Sequence, residues 1–248
     1  MIDLHVHTCY CDGHDSPEQM VLSAIDRGVT TLGIVAHSYV EFDKDYSIAP
    51  EREDEFIDEI SRLKDKYRDS LTIYCGSERD YYATSLSTRY DYYLASVHYI
   101  YENGKYYSVD ASPERFVRMV EEAFGGDYYA LCERYYDMVS SLADRGRVDV
   151  IGHLDLVTKF NDGCKYFDTT HPRYVRAWQS AVDKLLPLGV PFEVNIGGIS
   201  RGYKARPYLE QSILDYIKER GGKLILSSDA HRVEHIAYEY DKWRYLLD

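Results

Sequence analysis

Seven short apolar runs alternate along the chain with stretches of helical apolar spacing. The runs occupy residues 2–6, 30–36, 71–75, 92–97, 148–152, 190–195 and 223–227. Helices are expected between them, near residues 17–28, 51–68, 112–145, 171–187 and 208–219. Strands that alternate with helices form βα units around a parallel sheet. Because α/β barrels of about 250 residues are commonly one domain, the 248 residues predict a single domain over 1–248.

Composition narrows the class of protein. The net charge of −13 disfavours nucleic acid and anionic membranes as partners. No apolar run approaches the roughly 18 residues that a membrane span needs. The chain opens directly on a strand without a signal segment. Its five cysteines have no regular spacing, which indicates reduced thiols. We therefore expect a cytoplasmic protein.

Each apolar run ends in residues that can bind a metal ion or hydrogen-bond a substrate. In chain order these are His5 and His7, His37, Glu78, His98, His153, Glu193 and Asn195, and Asp229 and His231. Functional groups of α/β barrels gather at the carboxyl ends of the strands, where the βα loops converge. The sequence therefore predicts a site at that face of the barrel.

The first run carries a His-x-His pair. His5 and His7 are two residues apart, so on a strand their side chains point to the same face. Asp12 and His14 follow in a turn, and either is a candidate to complete a metal site with the pair. Cys9 and Cys11 lie nearby but are not expected to bind metal, because no second cysteine pair completes a zinc set.

The donor set predicts the kind of metal site. Imidazole and carboxylate together suit zinc, manganese or iron rather than calcium. Nine candidate ligands suit three divalent ions if Glu78 bridges two of them: His5, His7, His37, His98, His153, His231, Asp12, Glu78 and Asp229. The positive charge of three divalent ions exceeds the negative charge of the three carboxylates. One hydroxide and one phosphomonoester dianion would neutralise this excess. We therefore predict three divalent metal ions and a small phosphorylated substrate.

The ordered motifs resemble one known family. They are His-x-His at 5–7, Asp12, His37, Gly-x-Glu at 76–78, Ser-Val-His at 96–98, Gly-His-Leu-Asp at 152–155 and Ser-Asp-Ala-His at 228–231. This set resembles the polymerase-and-histidinol-phosphatase (PHP) superfamily. Residues 149–160, Glu-Val-Asn at 193–195 and Arg-Gly-Tyr at 201–203 are similar to its stand-alone histidinol-phosphate phosphatases.

The resemblance implies a distorted (β/α)7 TIM-like barrel with three metal ions in its mouth. By matching position, the three ligand sets would be His5, His7, Glu78 and Asp229; then Glu78, His98 and His153; and last Asp12, His37 and His231. Ala36 stands where family members usually carry an acid. In addition, His14 is close enough to Asp12 in the sequence to replace it as a ligand.

The reaction that the resemblance implies is hydrolysis of L-histidinol phosphate in histidine biosynthesis. A metal-bridging hydroxide, held by Glu78, Asp229 and His153, would attack phosphorus. Arg201 and then Lys159 are the candidates for a phosphate clamp. Asp80, Tyr81, Glu193 and Asn195 complete the predicted substrate contacts, the first three as receivers of the ammonium and imidazole groups. The alternatives are a phosphoesterase for a nucleotide, sugar phosphate or phosphotyrosine, and an inactive metal-binding module.

Overall fold

The structure is a computed structural model that describes residues 1–83 and 87–248. Its strands are β1 (Ile2–Val6), β2 (Thr31–His37), β3 (Thr72–Asp80), β4 (Tyr92–Ser96), β5 (Tyr99–Glu102), β6 (Lys105–Ser108), β7 (Val150–Ile151), β8 (Phe192–Asn195) and β9 (Leu224–Ser227). Its α-helices are α1 (Pro17–Asp26), α2 (Glu53–Tyr67), α3 (Pro113–Phe124), α4 (Tyr128–Ser140), α5 (Pro172–Leu185), α6 (Gly197–Ser200), α7 (Gln211–Glu219) and α8 (Tyr240–Trp243). Across these residues no helix combines the length and the apolar character that crossing a bilayer requires.

Seven of the strands form one parallel sheet in the order β1-β2-β3-β4-β7-β8-β9. Its outer strands meet through a parallel bridge between Val6 and Ala230. Across this seam, the buried Asp3 carboxylate accepts the backbone N–H groups of Ser228 and Ala237 at 3.0 and 3.2 Å. The sheet is therefore a nearly closed barrel, and the predicted distorted TIM-like fold is confirmed.

The third strand is longer than its apolar run. The sequence predicts a strand that ends at Cys75, whereas β3 continues to Asp80. The polar residues stay in the strand because β2 and β4 pair with it on both sides, up to His37–Glu78 and Asp80–Ser96. This extension places Glu78 inside the carboxyl end of the barrel.

A tyrosine side chain crosses the barrel interior below that end. Tyr92 of β4 lies over Gly76 of β3 and Gly33 of β2, and its hydroxyl donates to the Leu4 carbonyl of β1 at 2.6 Å. A Cβ atom at Gly76 would lie 2.4 Å from the Tyr92 ring. The two glycines therefore make room for a side chain that links four neighbouring strands.

Asp155 connects the loops after β7 and β8. Its buried carboxylate accepts the backbone N–H groups of Leu209 and Glu210 at 2.8 and 2.9 Å. Burial and the nearby Asp155 carboxylate raise the pKa of Glu210 to about 7. The start of α7 thus holds a carboxyl group that resists ionisation.

We predict that Gly76→Ala destabilises the fold by about 1–3 kcal/mol, because the added methyl group overlaps the Tyr92 ring. Thermal and urea unfolding measure the change. Tyr92→Leu removes the ring, so Gly76→Ala should cost less in that background. An equal cost in both backgrounds would show that the ring does not set the requirement for glycine.

We predict that Glu210→Gln becomes more stable relative to wild type as the pH rises from 4 to 8. The folded-state pKa is raised, so the wild type loses stability as Glu210 ionises, by about 2–3 kcal/mol in total. Urea unfolding across this pH range measures the difference. The exposed Glu219→Gln, at the other end of α7, is the control. A difference that stays constant with pH would contradict the prediction.

Candidate metal centre

The Glu78 carboxylate is buried and surrounded by imidazole rings. Ring nitrogens of five residues lie 2.9–3.2 Å from its oxygens: His5, His7, His37, His98 and His153. The Ser96 hydroxyl donates to Oε1 at 2.8 Å. Burial alone would raise the pKa of Glu78, but the facing imidazoles hold it well below its usual range.

The carboxylate of Asp229 lies close to the His-x-His pair. Asp229 Oδ1 lies 3.6 Å from His5 Nε2 and 3.5 Å from His7 Nε2, and these two nitrogens are 3.0 Å apart. Asp229 has a φ of 50°, which is uncommon for a residue with a side chain. Arg201 donates to Asp229 Oδ2 at 2.8 Å. The loop after β9 thus holds Asp229 close to the rings of His5 and His7.

Asp12 lies at the mouth of the barrel. Its carboxylate oxygens are 3.2 Å from His231 Nε2 and 3.4 Å from His37 Nε2. The ring of His14 lies apart from this group, where its Nε2 accepts from Arg232 at 3.1 Å. The geometry therefore favours Asp12 over His14 as a ligand at this position.

Four groups of ligand atoms, each within 4.8 Å of one another, occur in the described residues. They are His7, Asp12, His37 and His231; His5, His7 and Asp229; His5, Glu78 and His153; and His37, Glu78 and His98. Together they comprise the nine predicted ligands. The resemblance implies one ligand set of Glu78, His98 and His153. In the structure, Glu78 groups instead with His5 and His153 and, separately, with His37 and His98.

The atoms present fit divalent ions. Ligands about 2.0–2.2 Å from one ion lie about 3.0–3.5 Å from each other, and the contacts around Glu78 have this spacing. His37 Nδ1 lies 2.9 Å from Glu78 Oε2 but makes no hydrogen bond in the described residues. A buried imidazole nitrogen next to a carboxylate oxygen without a hydrogen bond between them fits a shared metal ion.

The rings differ in their protonation. Burial and the neighbouring rings of His37 and His231 lower the pKa of His7 to about 3, so this imidazole is neutral. Burial also opposes charge on His98, but Glu78 and Asp80 outweigh it and raise its pKa to about 10. A cation bound here would displace protons from such rings, because metal ligands must be deprotonated.

Three residues that were predicted to bind the substrate contact the candidate metal ligands instead of lining the cavity. Glu193 accepts from His5 Nδ1 at 2.6 Å and from the backbone N–H of His153 at 2.8 Å. Asp80 contacts His98 Nδ1 at 3.3 Å. Asn195 donates to Glu193 and lies 3.3 Å from Asp229. These buried groups orient the rings, and none of the three is among the residues that line the cavity.

Tyr81, a further predicted substrate contact, is not among the residues that line the cavity. Its ring packs against Tyr82 and lies 4.1 Å from the Arg145 guanidinium. In this structure Tyr81 therefore makes packing contacts just after β3.

A cavity of about 250 Å³ opens over the rings. Two predicted phosphate-binding residues, Arg201 and Lys159, line it. Sequence reasoning missed other residues of its wall: Tyr46, Asp110, Leu156, Tyr203, Arg232 and His235. Most belong to loops without a strand or helix pattern, although Tyr203 falls in the Arg-Gly-Tyr motif at 201–203. The cavity has room for a small organic molecule beside the candidate metal centre.

Comparisons with known proteins agree with this geometry. Residues 3–196 match the PHP domain family. The chain is 27% identical to the histidinol-phosphatase of Bacillus subtilis (strain 168) over 263 aligned positions, which cover 96% of both proteins. The match thus extends along nearly the whole chain.

Solved structures share the fold. A Listeria monocytogenes protein assigned as a histidinol phosphatase superposes with a TM-score of 0.85 at 23% identity, covering 98% of this chain and 100% of that one. Histidinol phosphate phosphatase of Lactococcus lactis, solved with zinc, L-histidinol and phosphate, superposes with a TM-score of 0.65 at 20% identity, covering 99% and 92%. Since the family match spans well over half of its length, this chain belongs to the PHP domain family.

Proposed function

We propose that this chain is a metal-dependent phosphomonoesterase that hydrolyses L-histidinol phosphate to L-histidinol and phosphate, a step of histidine biosynthesis. One observation carries the proposal: nine imidazole and carboxylate ligands, Glu78 among them, cluster beside a cavity that cations also line. The curated relative from Bacillus subtilis, named for this activity, supports the choice of substrate.

The ligand groups would hold three divalent ions, with Glu78 between them. Such ions lower the pKa of water to about 7 and offset phosphate charge, which supplies the nucleophile that this hydrolysis needs. The protein positions the ligands: Glu193 and Asp80 fix the rings of His5 and His98 from behind. Zinc, manganese and iron all suit this donor set.

Arg201 would attract the phosphoryl group. Its guanidinium lines the cavity while it donates to Asp229 Oδ2 and lies 3.0 Å from His231 Nδ1. These contacts fix the cation beside the candidate metal centre. Its buried Nε has no partner among the described residues, so one donor stays available for an anion.

Asp110 would receive the substrate's ammonium group, a role that the sequence assigned to other acids. Its carboxylate lines the cavity and contacts Lys159 Nζ at 3.2 Å. Burial opposes its ionisation, but Lys159 and His98 outweigh burial and lower the pKa of Asp110. An ionised acid at the wall favours a phosphate ester that carries a positive charge elsewhere. This pairing also means that Lys159 is partly neutralised.

The reaction would take place in the cytoplasm. All five cysteines are free thiols in the structure. Cysteines without disulfides are usual for proteins of a reducing compartment.

We predict that removal of the metal abolishes hydrolysis. Dialysis against EDTA should lower turnover of L-histidinol phosphate at least about 100-fold, because the nucleophile and the charge neutralisation are both lost. Zinc or manganese should restore it, and calcium, which prefers oxygen ligands, should not. Mass spectrometry of the restored protein should give three metal ions per chain. Full turnover by metal-free protein would refute the proposal.

We predict that Asp110→Asn lowers kcat/KM for L-histidinol phosphate by about 10- to 100-fold, mainly through KM, since a hydrogen bond to a charged group contributes about 1.5–3 kcal/mol. Hydrolysis of p-nitrophenyl phosphate, which lacks an ammonium group, should change little. The exposed Asp69→Asn makes the same charge change away from the cavity and is the control. Equal losses on both esters would remove Asp110 from ammonium recognition.

A further inference from the structure

Tyr46 lies in the wall of the cavity, in the loop between β2 and α2. Its ring stacks on His37 with the centroids 3.9 Å apart, and it meets the ring of His98 edge-on at 5.2 Å. The position therefore places a phenol directly beside two candidate metal ligands.

The loop around Tyr46 is held in place on several sides. Ile48 donates its backbone N–H to the His37 carbonyl at 2.9 Å, and the Ser47 hydroxyl donates to the Asp43 carbonyl at 3.0 Å. Tyr99 donates to the Asp43 carboxylate at 2.7 Å. Because these contacts position the loop, the phenol has a defined place before any ligand binds.

The Tyr46 hydroxyl is buried and has no hydrogen-bond partner among the described residues. An unsatisfied buried hydroxyl is costly, and in native structures such groups commonly await a ligand or water. A phenol hydroxyl carries a proton that it can donate.

A second cavity residue, Arg201, also has a buried donor without a partner, its Nε. A ligand rich in acceptors would satisfy these two donors, since both belong to residues that line the same cavity. A phosphoryl group, with several oxygens and a negative charge, meets this requirement, whereas an ammonium group offers no acceptor.

We infer that the Tyr46 hydroxyl donates a hydrogen bond to an oxygen of the bound phosphoryl group. This inference rests on the proposed function, since it requires that phosphate binds in this cavity. Tyr46 would act in phosphate binding, while its ring keeps His37 in place.

Tyr46→Phe tests the inference, because it removes the hydroxyl and keeps the ring on His37. The ligand is inorganic phosphate, titrated into the metal-loaded protein. We expect the Kd to rise about 10- to 100-fold, as for loss of one hydrogen bond to a charged group. Binding of L-histidinol and the metal content should stay unchanged. The melting temperature without phosphate should stay the same or rise, because an unsatisfied buried group is removed.

Tyr208 supplies a matched control. Its hydroxyl is also buried without a partner in the described part of the chain, but the residue does not line the cavity. Tyr208→Phe should leave the Kd for phosphate unchanged.

Several results would overturn the inference. Wild-type affinity of Tyr46→Phe for phosphate would do so, as would weaker binding of L-histidinol alone, which would place the hydroxyl at the ammonium end. A lower metal content would show a structural role. If the wild-type protein neither binds phosphate nor hydrolyses L-histidinol phosphate, the proposed function fails with the inference; if it does both, only the inference is at stake.

Discussion

A buried negative charge at Glu78 is the constraint on which the site depends. A carboxylate without water is unfavourable unless cations or donors surround it. Here five imidazoles from β1, β2 and the loops after β4 and β7 approach its two oxygens. This convergence requires that four strands end at matching heights, which the parallel register and the closure at Val6 and Ala230 provide.

Much of the fold could be predicted from the sequence because buried parallel strands are apolar throughout and are separated by amphipathic helices. The seven strands of the barrel lie where the pattern predicts them. The end of β3 could not be predicted this way. Its last residues are polar, and pairing with both neighbours, which is tertiary information, keeps them extended.

The candidate ligands could be predicted because each lies near the carboxyl end of a strand and has a side chain that binds metal. Their surroundings could not. Glu193 has the same chemistry as a substrate-binding acid, and only the folded structure shows that it faces His5. Tyr46 and Asp110 lie in loops whose course depends on contacts distant in sequence, such as that between Tyr99 and Asp43. Periodicity contains no information about such contacts.

Tyr92 and its apolar neighbours Leu4, Val35, Leu94, Val150 and Ile225 occupy the barrel below Glu78. Each of them comes before a candidate ligand of the same βα unit, so an apolar cluster inside the barrel adjoins the polar site. Under the proposed function, the alcohol and the phosphate would leave through the same cavity that admits the substrate. Accumulated phosphate would then compete with the next substrate molecule for this cavity.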